Sequence, residues 1–338
     1  VQVAIVILNW NGARLLPEFL PSVVENSPNA RIIVADNAST DNSLAILADQ
    51  FLQVEVLPMP QNKGFAGGYN QALGQIDADV YVLLNSDVMV TPNWLQAPLE
   101  ALQQAQCAAV QPKIRAYRNQ SHFEHAGACG GFIDRLGYPF CRGRIFATAE
   151  KDQGQYDQPA SIFWASGACM FIKRDVFRAA GGFSEAFFAH MEEIDLCWRI
   201  QRMGFQIQCV PQSTVYHLGG ATLDYLSPRK AFLNFRNSLY MIVRNYPDML
   251  FFPLLERLFW DGIAGMRFLM EGKPRFTWIV VKSHFAFYSR LGTLLSERRQ
   301  IRKLGNASPA GRYRGLILVD HFIRKKHRFS ELDKSRFS

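Results

Sequence analysis

Residues 79–87 read Asp-Val-Tyr-Val-Leu-Leu-Asn-Ser-Asp. Residues 80–84 form an apolar run with the length of one buried strand. The run stops at three polar residues, the last of which, Asp87, is a carboxylate. Thr91 and Pro92 follow; Pro92 suits the first turn of a helix and Thr91 its N-cap. A buried strand that carries an acid to the carboxyl edge of an α/β sheet carries it to the edge where such sheets bind ligands. Taken alone, the same residues also suit an ordinary turn.

The chain upstream repeats this pattern. Residues 3–8 are apolar and β-branched and end in Asn9-Trp10-Asn11-Gly12, after which Leu15, Leu16, Phe19, Leu20, Val23 and Val24 recur at helical spacing. Residues 31–35 form the next strand and end in Asp36-Asn37-Ala38-Ser39-Thr40-Asp41, where Ser39 or Thr40 can cap the following helix. Residues 54–57 are a third strand, and residues 61–70 open another helix. Strands alternating with helices about every 25 residues predict βαβ units and a mainly parallel sheet. Right-handed crossovers then place the strand ends on one edge. Asn9, Asn11, Asp36, Asn37, Lys63, Ser86 and Asp87 collect there, a set better explained by a polar ligand than by four unrelated turns. Gly64, Gly67 and Gly68 do not match G-x-G-x-x-G and follow the third strand, so a dinucleotide fingerprint fits poorly. They can bring backbone N–H groups to a phosphate beside Lys63, or let the helix pack closely on the sheet.

Downstream, residues 107–160 read as irregular, with long loops over the sheet edge and a mobile lid. Residues 162–172 return to apolar character around Ser166-Gly167-Ala168. Glu192, Glu193 and Asp195 crowd the start of a helix that continues through Leu196, Arg199 and Ile200. The helix dipole favours acids there, and their mutual repulsion raises at least one pKa, which suits a general base. Residues 206–210 predict a strand, and His217 follows as either a structural residue or a ligand.

A 338-residue chain with 49% hydrophobic residues supports a full core and excludes a disordered chain. Its six cysteines form no C-x-x-C pair, which reads as reduced core thiols in a reducing compartment and argues against structural zinc. The net charge of +8 is uneven: residues 1–224 carry 15 Lys and Arg against 21 Asp and Glu, and residues 225–338 carry 22 against 8. The acidic front and the basic, aromatic-rich tail predict two jobs. Basic helices with aromatic faces suit an anionic bilayer surface, and the competing reading is a helical subdomain packed on the core or on a second subunit. No nucleic-acid recognition motif is present. Residues 1–8 do not read as a signal peptide. Residues 249–270 are the nearest to a membrane span but are broken by Glu256, Arg257, Asp261 and Arg267.

Taken in order, seven segments resemble a family 2 inverting glycosyltransferase with the GT-A fold, in the branch of rhamnosyl- and galactofuranosyl-type transferases. They are Val-Ile-Leu-Asn-Trp-Asn-Gly, Val-Ala-Asp-Asn-Ala-Ser-Thr-Asp-Asn-Ser, Asn-Lys-Gly-Phe-Ala-Gly-Gly-Tyr-Asn, Leu-Leu-Asn-Ser-Asp, Ser-Gly-Ala-Cys-Met, Glu-Glu-Ile-Asp-Leu-Cys-Trp-Arg and the His-x-x-Gly that starts at His217. The resemblance covers about residues 1–245. It implies a Rossmann-like mixed, mainly parallel sheet flanked by helices in a catalytic domain over 1–224. The nucleotide-sugar half is about 1–106 and the acceptor half about 107–224, followed by a helical C-terminal region over 225–338. It implies that Asp36 binds the nucleotide base or ribose, with Leu8, Asn9, Asn11, Lys63, Gly64 and Ser86 beside it. Residues 85–87 fall on the family's D-x-D position, so Asp87 and His217 would ligate Mg²⁺ or Mn²⁺ on the donor diphosphate. Glu193 would be the catalytic base, Asp195 its support, and Trp164, Gly167 and Glu192 would face the acceptor. Two departures stand out: Asn85 replaces the first D-x-D acid, and Glu193 replaces an Asp. The implied activity is sugar transfer from a nucleoside-diphosphate sugar to a glycan or lipid-linked acceptor in cell-surface polysaccharide synthesis. The implied place is the cytoplasmic face of the membrane, with room for a homo-oligomer. The alternatives are an inactive transferase-fold scaffold, favoured by Asn85, and a nucleotidyltransferase. The latter would want a Gly- and Arg-rich loop where Asn9-Trp10-Asn11-Gly12 stands.

Overall fold

A computed structural model describes residues 1–219, 227–247 and 249–338. In its first half β1 (Val3–Asn9), α1 (Leu16–Glu25), β2 (Arg31–Asp36), α2 (Ser43–Gln50), β3 (Glu55–Pro58), α3 (Gly64–Leu73) and β4 (Val80–Asn85) alternate as the periodicity predicts. The strands β4, β1, β2 and β3 lie parallel in that order. Successive side chains of these strands feed two cores. Ala4, Val6, Ile33, Ala35, Tyr81 and Leu83 face one, and Ile5, Ile7, Ile32, Val34, Val82 and Leu84 face the other. Burial on both faces is why the strands read as unbroken apolar runs.

Next come β5 (Val88–Val90), α4 (Gln96–Leu102), β6 (Cys107–Ala116), β7 (Gly131–Asp134), β8 (Pro139–Cys141), β9 (Arg144–Ile145), β10 (Thr148–Ala149), β11 (Ala160–Ser161), β12 (Cys169–Lys173), α5 (Arg174–Ala179), α6 (Glu192–Arg202) and β13 (Gln206–His217). The large sheet runs β11-β13-β6-β12-β4-β1-β2-β3, with β5 paired to the end of β13. Within it β12 is antiparallel to both neighbours, while β13 returns to the parallel direction beside β6. The expected strand over 206–210 extends to His217. A register shift between Val210 and Thr214, around Pro211, absorbs the break that the sequence shows.

Two expectations change. Thr91 caps no helix: its hydroxyl donates to the Thr214 carbonyl at 2.8 Å, and α4 begins only at Gln96. Residues 107–160 are not mainly loops either. β6 is a ten-residue strand inside the large sheet, and β7 to β10 build a second sheet.

The C-terminal region holds α7 (Pro228–Asn245), α8 (Phe251–Met270), α9 (Pro274–Tyr288), α10 (Leu291–Ile301) and β14 (Arg312–Tyr313). Helix α7 packs against α6, α9 and α10. Beyond α10 the chain turns back to the second sheet. There β14 pairs in parallel with β7, and the rings of Phe329 and Phe337 pack against Phe132 and Phe140 in tilted and edge-on contacts. The expected boundary at 224 lies outside the described residues.

Candidate active site

Register brings the predicted polar edge together. Asn9 is opposite Asp36 across β1 and β2, and Leu8 is opposite Asn85 across β1 and β4. Asp36 is buried; its carboxylate accepts from Asn9 Nδ2 at 2.9 Å, the Ser39 backbone N–H at 2.9 Å and Ser39 Oγ at 2.6 Å. Asn11, at φ 53°, takes the Thr40 N–H on its side-chain oxygen at 2.8 Å, so it folds the first loop onto the second. The ends of β1 and β2 are therefore knitted together by their own side chains.

The glycine turn has a different role from a phosphate cradle. The N–H groups of Phe65 and Ala66 donate to the Phe188 carbonyl at 2.8 and 3.2 Å. A Cβ on Gly64, at φ 71°, would come within 2.6 Å of that oxygen. Gly64 is thus a packing residue that lets the 188 loop seat on α3, and Lys63 stands at the N-cap of that helix.

Asp87 and His217 come from distant parts of the chain and meet because β5 pairs with β13. The Leu218 N–H donates to the Asp87 carbonyl at 3.0 Å, and His217 sits opposite Val88. His217 Nε2 lies 3.1 Å from Asp87 Oδ1 and 3.4 Å from Asn85 Nδ2, and its Nδ1 lies 3.1 Å from Glu124 Oε2. Burial alone lowers an imidazole, but the two carboxylates outweigh it and raise His217 to about 10. Burial also pushes the Glu124 carboxyl up, and His217 outweighs that to hold it at about 2. Nothing in the sequence had singled out Glu124. Among the described residues no three His, Cys, Asp or Glu side chains are spaced to hold a metal unaided. A carboxylate and an imidazole facing each other do fit a divalent cation whose other ligands come from a bound anion, with that cation in place of the imidazole proton.

Residues 167 and 168 link the end of β4 to the start of α6: the Asn85 N–H donates to the Ala168 carbonyl at 3.0 Å, and the Gly167 backbone hydrogen-bonds Glu193. Phe188, His190 and Met191 all take positive φ, at 64°, 69° and 73°, a costly backbone for residues with a Cβ. Asn237 on α7 holds the loop. Its single amide group donates to the carbonyls of Phe187, Ala189 and His190 at 3.0, 2.8 and 2.8 Å. Sequence reasoning missed Asn237 because its partners lie almost 50 residues away.

The strained loop aims Glu192 and Glu193 inward. Burial, then the Glu193 charge, drives Glu192 well above the ordinary carboxyl range. Burial raises Glu193 to about 7, against an opposing hydrogen bond from the Gly167 backbone. One oxygen of each carboxylate is buried without a hydrogen-bond partner among the described residues. Asp195 goes the other way. Burial would raise it, but Arg244 and Arg199 hold it at about 2, and Asn245 donates to it at 2.6 Å. Arg199 and Arg244 approach it at 2.8 Å each. Asp195 is fully buried and ties α6 to α7.

Trp164 is the clearest misplacement. It was expected to face the acceptor, but it is 5% exposed, donates its indole N–H to the Phe132 carbonyl at 3.0 Å and lies flat against Gly131. Gly167 and Glu192 do lie at the carboxylate cluster, and Ser86 is part-buried between Asn85 and Asp87. The Gly220 of the expected His-x-x-Gly lies outside the described residues.

Comparison with known proteins gives a consistent picture. The model of Glycosyl transferase family 2 matches residues 4–181. An N-acetylglucosaminyl-diphospho-decaprenol L-rhamnosyltransferase of Mycobacterium tuberculosis is 27% identical over 231 residues, covering 63% of this chain and 75% of the relative. Among solved structures, GalNAc-T7 with UDP, GalNAc and Mn²⁺ superposes with a TM-score of 0.53 at 18% identity, over 64% of this chain and 43% of that one. A mannosyltransferase from Pyrobaculum calidifontis, in complex with GDP-Man and Mn²⁺, superposes with a TM-score of 0.52 at 14% identity, over 90% and 85%. The last two likenesses concern the fold.

Proposed function

The chain belongs to glycosyl transferase family 2, and from that premise we propose that it transfers a sugar from a nucleoside-diphosphate sugar to a hydroxyl of a glycan or lipid-linked acceptor, with inversion at the anomeric carbon. Asp36, with Leu8, Asn9, Asn11, Lys63 and Ser86 around it, forms the nucleotide end of the pocket, within a catalytic domain whose acceptor half starts near residue 107. Asp87 and His217 would hold a divalent cation, which when bound supplies Lewis-acid stabilisation of charge on the leaving diphosphate. Glu193 accepts the proton of the attacking hydroxyl; a carboxylate near 7 is matched to that task at neutral pH. Asp195 keeps α6 in place and stays ionised while its neighbours are pushed towards neutrality. The basic C-terminal region faces a membrane surface, at the cytoplasmic side, where a lipid-linked acceptor resides.

The observation that carries this reading is the meeting of Asp87 and His217 at 3.1 Å on the sheet edge where Asp36 also ends its strand. A thermal-shift panel of UDP-, GDP- and dTDP-sugars with Mn²⁺ tests it. One donor is expected to raise the unfolding midpoint, with ligand at a hundredfold excess over Kd adding about 2.7 kcal/mol. Asp87→Ala should abolish the Mn²⁺-dependent part of that shift. An equal shift with and without metal in both proteins removes Asp87 from the site.

A further inference from the structure

Helix α8 carries its apolar face outwards. Its buried positions, one turn apart, are Arg257, Asp261 and Gly265. Arg257 donates to Asp261 Oδ1 at 3.0 Å and to Ser238 Oγ at 2.8 Å, and its guanidinium lies 3.8 Å from the centre of the Tyr138 ring. His284 Nε2 is 3.3 Å from the other Asp261 oxygen. A buried polar seam thus joins this helix to the body. On the outer side Phe252, Leu255, Phe259, Ile263, Met266 and Met270 succeed one another at three- and four-residue steps, between 43% and 77% exposed. From Phe252 to Met270 that stripe is about 27 Å long. Its neighbour α9 adds Trp278 and Phe285, both more than 60% exposed. Isolated apolar residues on a surface are ordinary, but a contiguous stripe of this length marks a contact.

Charge identifies the partner. Exposed cations border the two helices: Arg267 and Lys273, which share Glu271 at 2.8 and 2.9 Å and leave a net positive charge, and Arg275 and Lys282. Arg267 lies 5.2 Å from the ring of Phe322, which with Ile323 is exposed and leads into exposed Arg324 and Lys325. A second copy of this chain would set one +14 region against another. A nucleic acid would meet the charge and leave the stripe in water. An anionic bilayer surface offers negative headgroups and an apolar layer together. The helix cannot run through that layer, since its inner face carries an ion pair, and among the described residues no helix is long and apolar enough to cross a membrane.

We infer that α8 is an interfacial helix, lying in the plane of an anionic membrane surface with the stripe from Phe252 to Met270 in the headgroup–acyl boundary. This rests on the membrane-facing reading given above and assigns it to one face of one helix. The test is flotation of the full chain with vesicles of phosphatidylcholine plus phosphatidylglycerol, and with phosphatidylcholine alone. The wild type is expected to float with the anionic vesicles and much less with the neutral ones. The variant Leu255→Gln/Phe259→Gln/Ile263→Gln should lose about tenfold or more in partitioning while its unfolding midpoint stays unchanged. Arg275→Gln/Lys325→Gln, at exposed cations, should weaken binding by a few fold and flatten its salt dependence. If the wild type floats and the triple-Gln variant floats equally well, the membrane reading survives and the assignment to α8 is wrong. If the wild type floats with neither vesicle, both fail; sedimentation showing an oligomer that the triple-Gln variant loses would then give the stripe to a second copy. Donor-dependent thermal shift, read on the same proteins, reports on donor binding independently of flotation.

Discussion

Two carboxylates two residues apart carry opposite shifts, and that contrast is the most informative chemistry on the chain. Glu193 is raised to about 7 by burial, and Asp195 is held at about 2 by two guanidinium groups. The sequence predicted a raised pKa from crowding of like charges. Burial is the larger cause for both glutamates; like charge adds to it at Glu192, from Glu193 and then from Asp195. The base proposed above works only when ionised, so if Glu193 holds that role kcat/KM should climb about tenfold per pH unit up to near pH 7 and then level off. Glu193→Gln should abolish transfer while leaving the donor-induced thermal shift intact. Stability gives an independent reading. The folded state holds a proton on Glu193 between its unfolded value near 4.5 and about 7, so ionising it costs stability as pH rises through that window. Glu193→Gln is therefore expected to be more stable than the wild type at pH 8, by about 1–3 kcal/mol in denaturant melts, with the difference shrinking towards pH 5. A variant that keeps normal turnover would take the role of base away from Glu193.

At the scale of elements, the alternating strands and helices of the first half were legible because each is long enough to show its period and each strand ends in a polar turn. The second sheet was not. β7 to β10 are two to four residues each, too short for any alternation to register, and the strand that completes their sheet beside β7, β14, lies far downstream. Asp87 and His217 were legible as residue types, whereas their meeting depends on the three-residue strand β5, which a sequence pattern cannot show. Asn237 was missed for a related reason: a lone Asn inside a helix carries no signal until its three carbonyl partners are folded against it. Those bonds keep the positive-φ loop in front of α6 in shape, which makes a sharp prediction. Asn237→Ala should lower the unfolding free energy by about 1–3 kcal/mol and reduce kcat more than it weakens donor binding. Asn237→Asp should be worse than Ala, since it points a carboxylate at carbonyl oxygens and can donate nothing to them. Equal kcat in all three proteins would show that the loop keeps its shape without this amide.

Over the whole molecule, the early part of the chain supplies the polar sheet edge, the middle supplies the buried carboxylates, and the C-terminal region braces α6 and the second sheet while presenting the outward apolar face of α8. The bracing has a further consequence for how the chain is made. Asp134, at the end of β7, accepts the N–H of Ile317, 183 residues later, and β14 pairs with β7 from the same downstream segment. At about 5–20 residues per second, a ribosome that has released β7 needs about 10–40 s more before its partner strand exists. During that interval Phe132 and Phe140 lack the rings of Phe329 and Phe337 that cover them in the finished fold. Stalled nascent chains ending near residue 300 should therefore be cut by protease within residues 131–149 while the parallel strands of the first half already resist it. Chains stalled after residue 338 has cleared the exit tunnel should be protected throughout. Completion of the second sheet by β14 is thus expected late in synthesis, and a chaperone acting on the emerging chain would find exposed rings there.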